Sequence, residues 1–171
     1  MKNSLLILMC FTAITAKSQI AIGKTTITNT SVSLEFTDAE NKGIILPYVE
    51  EKSGITENGS VIFDNTDHKV KYLKGNNDWF DLSVDITGKS DIAIQQTKTE
   101  LTTAKTGIGT NGADSTNGIL VLTDTDKAMI LPRVASPHLN IINPASGMMV
   151  YDTTKKQLAV YNGTVWSFWK P

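Results

Sequence analysis

This sequence predicts a mainly β fold built from two homologous small β-meander modules, with a short helix in the second and a polar linker between them. Three observations predict it. Leu34–Val49 (LEFTDAENKGIILPYV) is answered by Leu120–Val134 (LVLTDTDKAMILPRV). Each is followed by a glycine-led run of β-branched and aromatic residues, GSVIFDNTDHKVKYLKGNNDW from Gly59 and GMMVYDTTKKQLAVYNGTVW from Gly147. The lead-ins match as well, Ile22-Gly23 against Ile108-Gly109. The shared residues are those a fold needs, and they do not form a catalytic set.

The first element is an export signal over residues 1–18. Lys2 supplies a short basic start, Leu5–Ala16 is apolar but too short to span a bilayer, and Ala16-Lys17-Ser18 sets small residues before a cut ahead of Gln19. Lipidation at Cys10 is disfavoured by the bulky Met9 before it. Cleavage removes the only cysteine, so no disulfide is expected. It also removes Lys2 and Lys17 from 16 basic residues and leaves all 17 acidic ones, a net charge of −3. No basic patch stands out, which argues against nucleic acid or an anionic membrane surface as partner. No later segment reads as a transmembrane helix, so no membrane insertion is expected after cleavage.

Module 1 covers residues 19–82 and module 2 residues 107–171. Within each, a strand (Ser33–Phe36, Ile119–Leu122) enters a polar turn and then a short strand (Ile44–Leu46, Met129–Leu131) ending at Pro47 or Pro132. Proline cannot donate to a sheet ladder and so sits at a strand end or edge. The glycine-led runs then read as meanders: Val61–Phe63, Lys69–Leu73 and Asp78–Leu82 in the first, Met148–Tyr151, Gln157–Tyr161 and Val165–Trp169 in the second. Between proline and meander the second copy has SPHLNIINPASG. Ser136 is a candidate N-cap, Pro137 suits the first helical position and Asn143-Pro144 would end a helix. Residues 83–106 form the linker, where a helix from Ser90 or Asp91 to about Lys105 competes with a solvated linker or extended stalk segment. Gly107–Gly118 is too rich in glycine and asparagine for a regular element.

Modules of about 65 residues bury marginal cores without disulfides or metals. The sister module or further copies of the chain must therefore cover their apolar faces.

Catalysis has little to stand on, and we expect no enzyme. His68 falls in a hairpin turn where the second copy has Lys156, and His138 has no carboxylate nearby in sequence to orient it. Asp38-Ala39-Glu40, Asp64–Asp67 and Asp124–Asp126 offer oxygens but lack the glycine and distal glutamate of a calcium loop. Asp64 and Asp152, matched between the copies, read as turn formers whose side chains bond nearby backbone amides. No metal or cofactor site is expected. Trp79, Trp166 and Trp169 are the candidate ligand or interface residues, because exposed rings on a β face stack on sugars. Matched Trp79 and Trp166 suit a core or interface plug, whereas Trp169, whose counterpart in the first copy is Leu82, is expected to be more exposed. Arg133, which stands where the first copy has Tyr48, is the fourth candidate.

With these motifs assembled, the chain resembles a repeat family of secreted and surface proteins of Bacteroidota and of tail-fibre-like proteins. The shared pattern is an Ile-Gly opening, a Lys-Gly-aliphatic-Leu-Pro segment (Lys42–Pro47; Lys127–Arg133 in copy two), and Gly-aliphatic-Tyr-Asp-Thr…Tyr-Asn-Gly…Trp (Gly147–Thr153, Tyr161–Gly163, Trp166). The second copy departs at Ala128, where the first has Gly43. The resemblance implies a structural or adhesive surface component, exported to the periplasm or cell surface and self-associating, with a trimer as the family-flavoured expectation. It carries no catalytic residues. The alternatives are a carbohydrate-binding module using the exposed tryptophans, or an accessory subunit partnering other outer-membrane or secretion proteins.

Overall fold

The computed structural model describes residues 19–101, 103–109 and 117–170. The expected signal, residues 1–18, lies outside them, as do residues 110–116 of the glycine-rich stretch. The fold is mainly β. In chain order the strands are β1 (Ile20–Ile22), β2 (Val32–Phe36), β3 (Ile44–Ile45), β4 (Tyr48–Val49), β5 (Val61–Asp64), β6 (Lys69–Gly75) and β7 (Asp78–Asp81). After the helical turn α1 (Ala93–Gln96) come β8 (Thr106–Ile108), β9 (Leu120–Leu122), β10 (Ala128–Ile130) and β11 (Arg133–Val134). A second helical turn, α2 (Pro137–Asn140), precedes β12 (Met148–Asp152), β13 (Gln157–Tyr161) and β14 (Trp166–Trp169).

The same pairing pattern occurs in both halves. β1 lies parallel to β2 and β8 parallel to β9, with Ile20 opposite Leu34 and Thr106 opposite Leu120. β5–β6–β7 and β12–β13–β14 are antiparallel meanders, flanked in parallel by β4 and β11. Proline breaks each Leu-Pro strand in two, β3 from β4 and β10 from β11. The prolines still contribute to the ladders through their carbonyls, since Phe63 N–H donates to Pro47 O and Tyr151 N–H to Pro132 O, both at 2.9 Å.

The halves are not separate, because they exchange strands. β10 of the second repeat lies parallel to β2 of the first, and β3 of the first lies antiparallel to β12 of the second. The main apolar core is shared accordingly. Phe63, Val70, Leu46 and Leu82 pack with Met149 and Val160, with Leu158 and Trp169 alongside. Alternation along each strand puts the neighbouring side chains on the opposite face. There Met148, Val150 and Ala159 form a second cluster with Val134 and Ile141. The second meander is thus buried on both faces. On the other face of the first, beside the buried Ile62, Lys71 meets Asp67 at 2.5 Å and Asp64 at 3.2 Å, and Lys69 meets Asp81 at 2.6 Å.

Two local expectations change. The helix after Ser136 is one turn, ending at Asn140 and not Asn143. Ser136 does not cap it: the residue is left-handed (φ 46°), its N–H donates to Asp152 Oδ1 and its hydroxyl contacts Thr154. Pro137 opens the helix as its fixed φ suits, while the buried Asp152 claims the residue before it. The linker is also less free than its composition suggests. Of the described residues over 90–105 only α1 is helical, and Ser83–Ser90 is bonded into both repeats, the first through Val70 N–H to Ser83 Oγ and the Ser90 hydroxyl to Asn65 Oδ1. Val84 N–H donates to Ser167 Oγ, Lys89 N–H to Asn162 O, and Ser146 Oγ to Lys89 O at 2.5 Å. Gly163 (φ +99°) sits so close that an added Cβ would stand 1.9 Å from Lys89 O. No helix among the described residues is long and apolar enough to cross a membrane.

Candidate interaction site

The most densely built polar site is the seam where the repeats exchange strands. β2 reads VSLEF, a run that places Glu35 in the middle of a buried strand. Its carboxylate has no exposure to solvent, and such a burial is tolerable only with full pairing. Lys24 Nζ lies 2.6 Å from Oε1, the Thr28 hydroxyl donates to the same oxygen at 2.5 Å, and the Thr28 N–H donates to Oε2 at 2.7 Å. Burial alone would raise its pKa. The Lys24 ammonium and the two Thr28 donors outweigh that and hold the carboxyl at about 2, against 4.5 ordinarily. Arg133 completes the knot from the second repeat, with Nη2 3.4 Å from Glu35 Oε1 and 3.2 Å from Asp38 Oδ2.

Further along the seam, Ser33 Oγ donates to Asp124 Oδ2 at 2.8 Å, and the Tyr48 hydroxyl donates to Ser146 O at 2.9 Å. Burial raises the Tyr48 pKa despite that bond, with Asp91 adding to the rise. Gly43 lies under β12. A Cβ there would meet Met148 Cγ at 2.5 Å and Val150 Cγ1 at 2.7 Å.

The matched aspartates sit at the meander turns. Asp152 is fully buried, has no cation beside it among the described residues, and accepts from the N–H groups of Ser136, Thr154 and Lys155 and from Gln157 Nε2. Burial raises its pKa and these donors lower it, with a net lowering. Asp64 accepts from the Thr66 N–H and hydroxyl and adds Lys52 at 2.8 Å and Lys71 at 3.2 Å. Against the cost of burial, these donors hold it far below the carboxylate range. Both aspartates are engaged by their own turns. Among the described residues no cluster of His, Cys, Asp or Glu is arranged to hold a metal.

The tryptophans divide. Trp166 and Trp169 lie three residues apart on β14 and therefore face opposite ways. Trp166 packs with Tyr161 on the second cluster, ring centroids 5.2 Å apart. Trp169 packs on the shared core, edge-on to Phe80 at 5.3 Å, and its indole N–H donates to Leu82 O at 2.7 Å. Both are half-buried, so they do not make one platform. Trp79 is also half-buried, and its buried indole nitrogen has no hydrogen-bond partner among the described residues. The exposed ring of β14 is Phe168, stacked on Trp166 at 6.5 Å and met edge-on by His138 at 5.6 Å. Arg133 alone among the predicted residues joins the seam. Sequence reasoning missed Glu35, Lys24 and Thr28. The one signal was a carboxylate inside an otherwise apolar strand.

Residues 107–170, which run from within β8 through β14, match the family profile described as a phage tail like trimerisation region. No curated protein and no solved structure matches the chain.

Proposed function

We propose that the protein is an exported, tail-fibre-like structural component that acts as a homo-oligomer, with three chains as its stoichiometry. The observation that carries this reading is the match of residues 107–170 to a phage tail like trimerisation region. Physical chemistry points the same way. Small β units without disulfides need their edges and apolar faces covered, and Ile45, Ile119, Leu120 and Met129 are exposed on this one. The role is structural and not catalytic. Export rests on the N-terminal pattern of Lys2, the apolar Leu5–Ala16 and the small residues before Gln19, and adhesion at a surface follows from the resemblance stated above.

Light scattering on the purified chain at micromolar concentration tests the core of this reading. The expected mass is three times the 18.6 kDa of one chain, less the signal where it has been cleaved. A single-chain mass overturns it. Fractionation of the producing cell, followed by protease accessibility, tests export, and protein retained in the cytoplasm removes that part.

One observation favours a second reading, glycan binding: the exposed Phe168 ring lies over Trp166 beside His138. Glycan-array binding lost in Phe168→Ala would support it, and an array without signal would exclude it for the sugars tested.

A further inference from the structure

The two repeats dock through one half-face each. The first contributes β2 and β3, the second contributes β10 and the start of β12. Each repeat also carries a counterpart of the half-face that the other uses. In the second repeat the counterparts of β2 and β3 are β9 and β10. In the first repeat the counterparts of β10 and the start of β12 are β3 and Ser60–Val61, because Gly59 and Gly147 take the same place before their meanders. Among the described residues these spare halves are open. β9 is bonded only to β8, β3 and β10 each have one neighbour, and no strand flanks Ser60–Val61 where Met148–Met149 receives β3.

We propose that a second copy of this chain closes the open half-face of the second repeat, its β3 pairing in parallel with β9 while β10 pairs antiparallel with its Ser60–Val61. The inference rests on the homo-oligomer reading and gives it an interface. The register follows from the internal seam. Met129 opposite Leu34 and Ile130 opposite Glu35 become Ile44 opposite Leu120 and Ile45 opposite Val121. Ile44 opposite Met149 and Ile45 opposite Met148 become Met129 opposite Val61 and Ile130 opposite Ser60.

Three features select this occupant. The first is exposure. Leu34 is 1% exposed, while its counterpart Leu120 is 43% exposed, and Ile45 on the other open half is 53% exposed. Apolar side chains on a bare strand edge are a template for strand addition. The second is volume. At the internal seam Gly43 leaves room for Met148 and Val150. On the open halves the corresponding positions hold Ala128, Ser60 and Ile62, so the added methyl faces a short serine in place of Met148 and an isoleucine in place of Val150. The third is charge. The internal seam buries Glu35 with Arg133 across it. The corresponding positions on the open halves are Val121 and Tyr48, so closing them strands no ion.

Such a joint is heterologous, head to tail, and closes into a ring or runs on as a filament. The β9–β10 half of the joint lies within residues 107–170, the stretch that matches a trimerisation region, and a closed ring of three chains is the assembly that follows.

The test uses the whole chain carrying Cys10→Ser, which removes the only native cysteine. Chains with Ile45→Cys and with Val121→Cys, differently tagged, are co-expressed and oxidised. The expected product is a disulfide between the two kinds of chain, with none when either is expressed alone. Linkage of Val121→Cys chains to one another would overturn the head-to-tail joint. Leu120→Lys, at an exposed position, should return the mass to one chain and weaken association at least tenfold. An unchanged mass in Leu120→Lys, with the native chain oligomeric, overturns this interface and leaves the homo-oligomer reading intact. A single-chain mass for the native protein overturns both.

Discussion

Arg133 Nη2 lies 3.4 Å from Glu35 Oε1, so a cation of the second repeat meets a fully buried carboxylate of the first at the seam between them. Ninety-eight positions of sequence separate the two residues. Removing the charge from such a buried group leaves its donors unmatched, and the cost is set by that loss more than by the pair itself.

Glu35→Gln is therefore expected to destabilise the protein by about 2–4 kcal/mol, read from urea denaturation at neutral pH. The folded carboxyl has a pKa of about 2 against 4.5 ordinarily. Its contribution is complete above about pH 4.5 and is lost as the pH falls toward 2. Asp64 and Asp152 are lowered too and add to the loss on the acid side. Stability measured from pH 6 downward should fall more steeply in the native chain than in Glu35→Gln. Parallel curves would show that Glu35 does not carry this linkage.

Gly43 and Ala128 hold the same place in their repeats, but only Gly43 is pressed against Met148 and Val150. Gly43→Ala overpacks that contact and should cost about 1–3 kcal/mol. Ala128→Gly, at an exposed position, should cost less than about 1 kcal/mol. Equal costs in denaturant unfolding would contradict the packing argument.

Lys156 takes a left-handed conformation (φ 55°) at the tip of the second meander's first turn, as His68 does in the first (φ 57°). Its side chain is exposed, so Lys156→Gly removes strain without removing packing. A gain of about 0.5–1 kcal/mol is expected, seen as a rise in the thermal midpoint. His68 has a bond to lose, since the Ser90 hydroxyl lies 3.2 Å from its Nδ1. His68→Gly should therefore gain less.

Trp169→Phe keeps a ring on the shared core and deletes the bond to the Leu82 carbonyl. The expected loss is about 1 kcal/mol, whereas Trp169→Ala should lose about 3–5 kcal/mol. Chemical denaturation of the pair separates the hydrogen bond from the packing. A negligible loss in both would place Trp169 outside the core.

The meanders and Leu-Pro strands were legible because their signals are local: alternation, turn residues every few positions, and a proline that ends a ladder. The seam was not. Lys24, Thr28, Glu35 and Arg133 come from three separate stretches, and no local periodicity announces that they converge. Trp169 reads as the more exposed tryptophan when Leu82 is taken as its counterpart, yet Leu82 itself supplies the carbonyl that holds it. The helix after Ser136 is shorter than its composition suggests, because Ile141 turns to extended backbone (ψ 114°) and packs into the second cluster, which ends the helix at Asn140. Gly43 against Ala128 was visible as a departure between the copies, and its reason lies in the neighbour that only one of them has.

The exchange of β10 onto β2 and of β3 onto β12 bears on how the chain can acquire its structure at all. A chain threaded from its N-terminus delivers β2 and β3 long before residues 128–130 and 148–149 that complete them. Until then Val32 and Leu34 present a bare apolar edge, the kind of surface on which nascent chains misassemble. The β2 and β3 edges of the first repeat stay incomplete until nearly the whole polypeptide has emerged. Folding then becomes one late event, and any truncation before Met148 should yield aggregates and not a smaller stable domain.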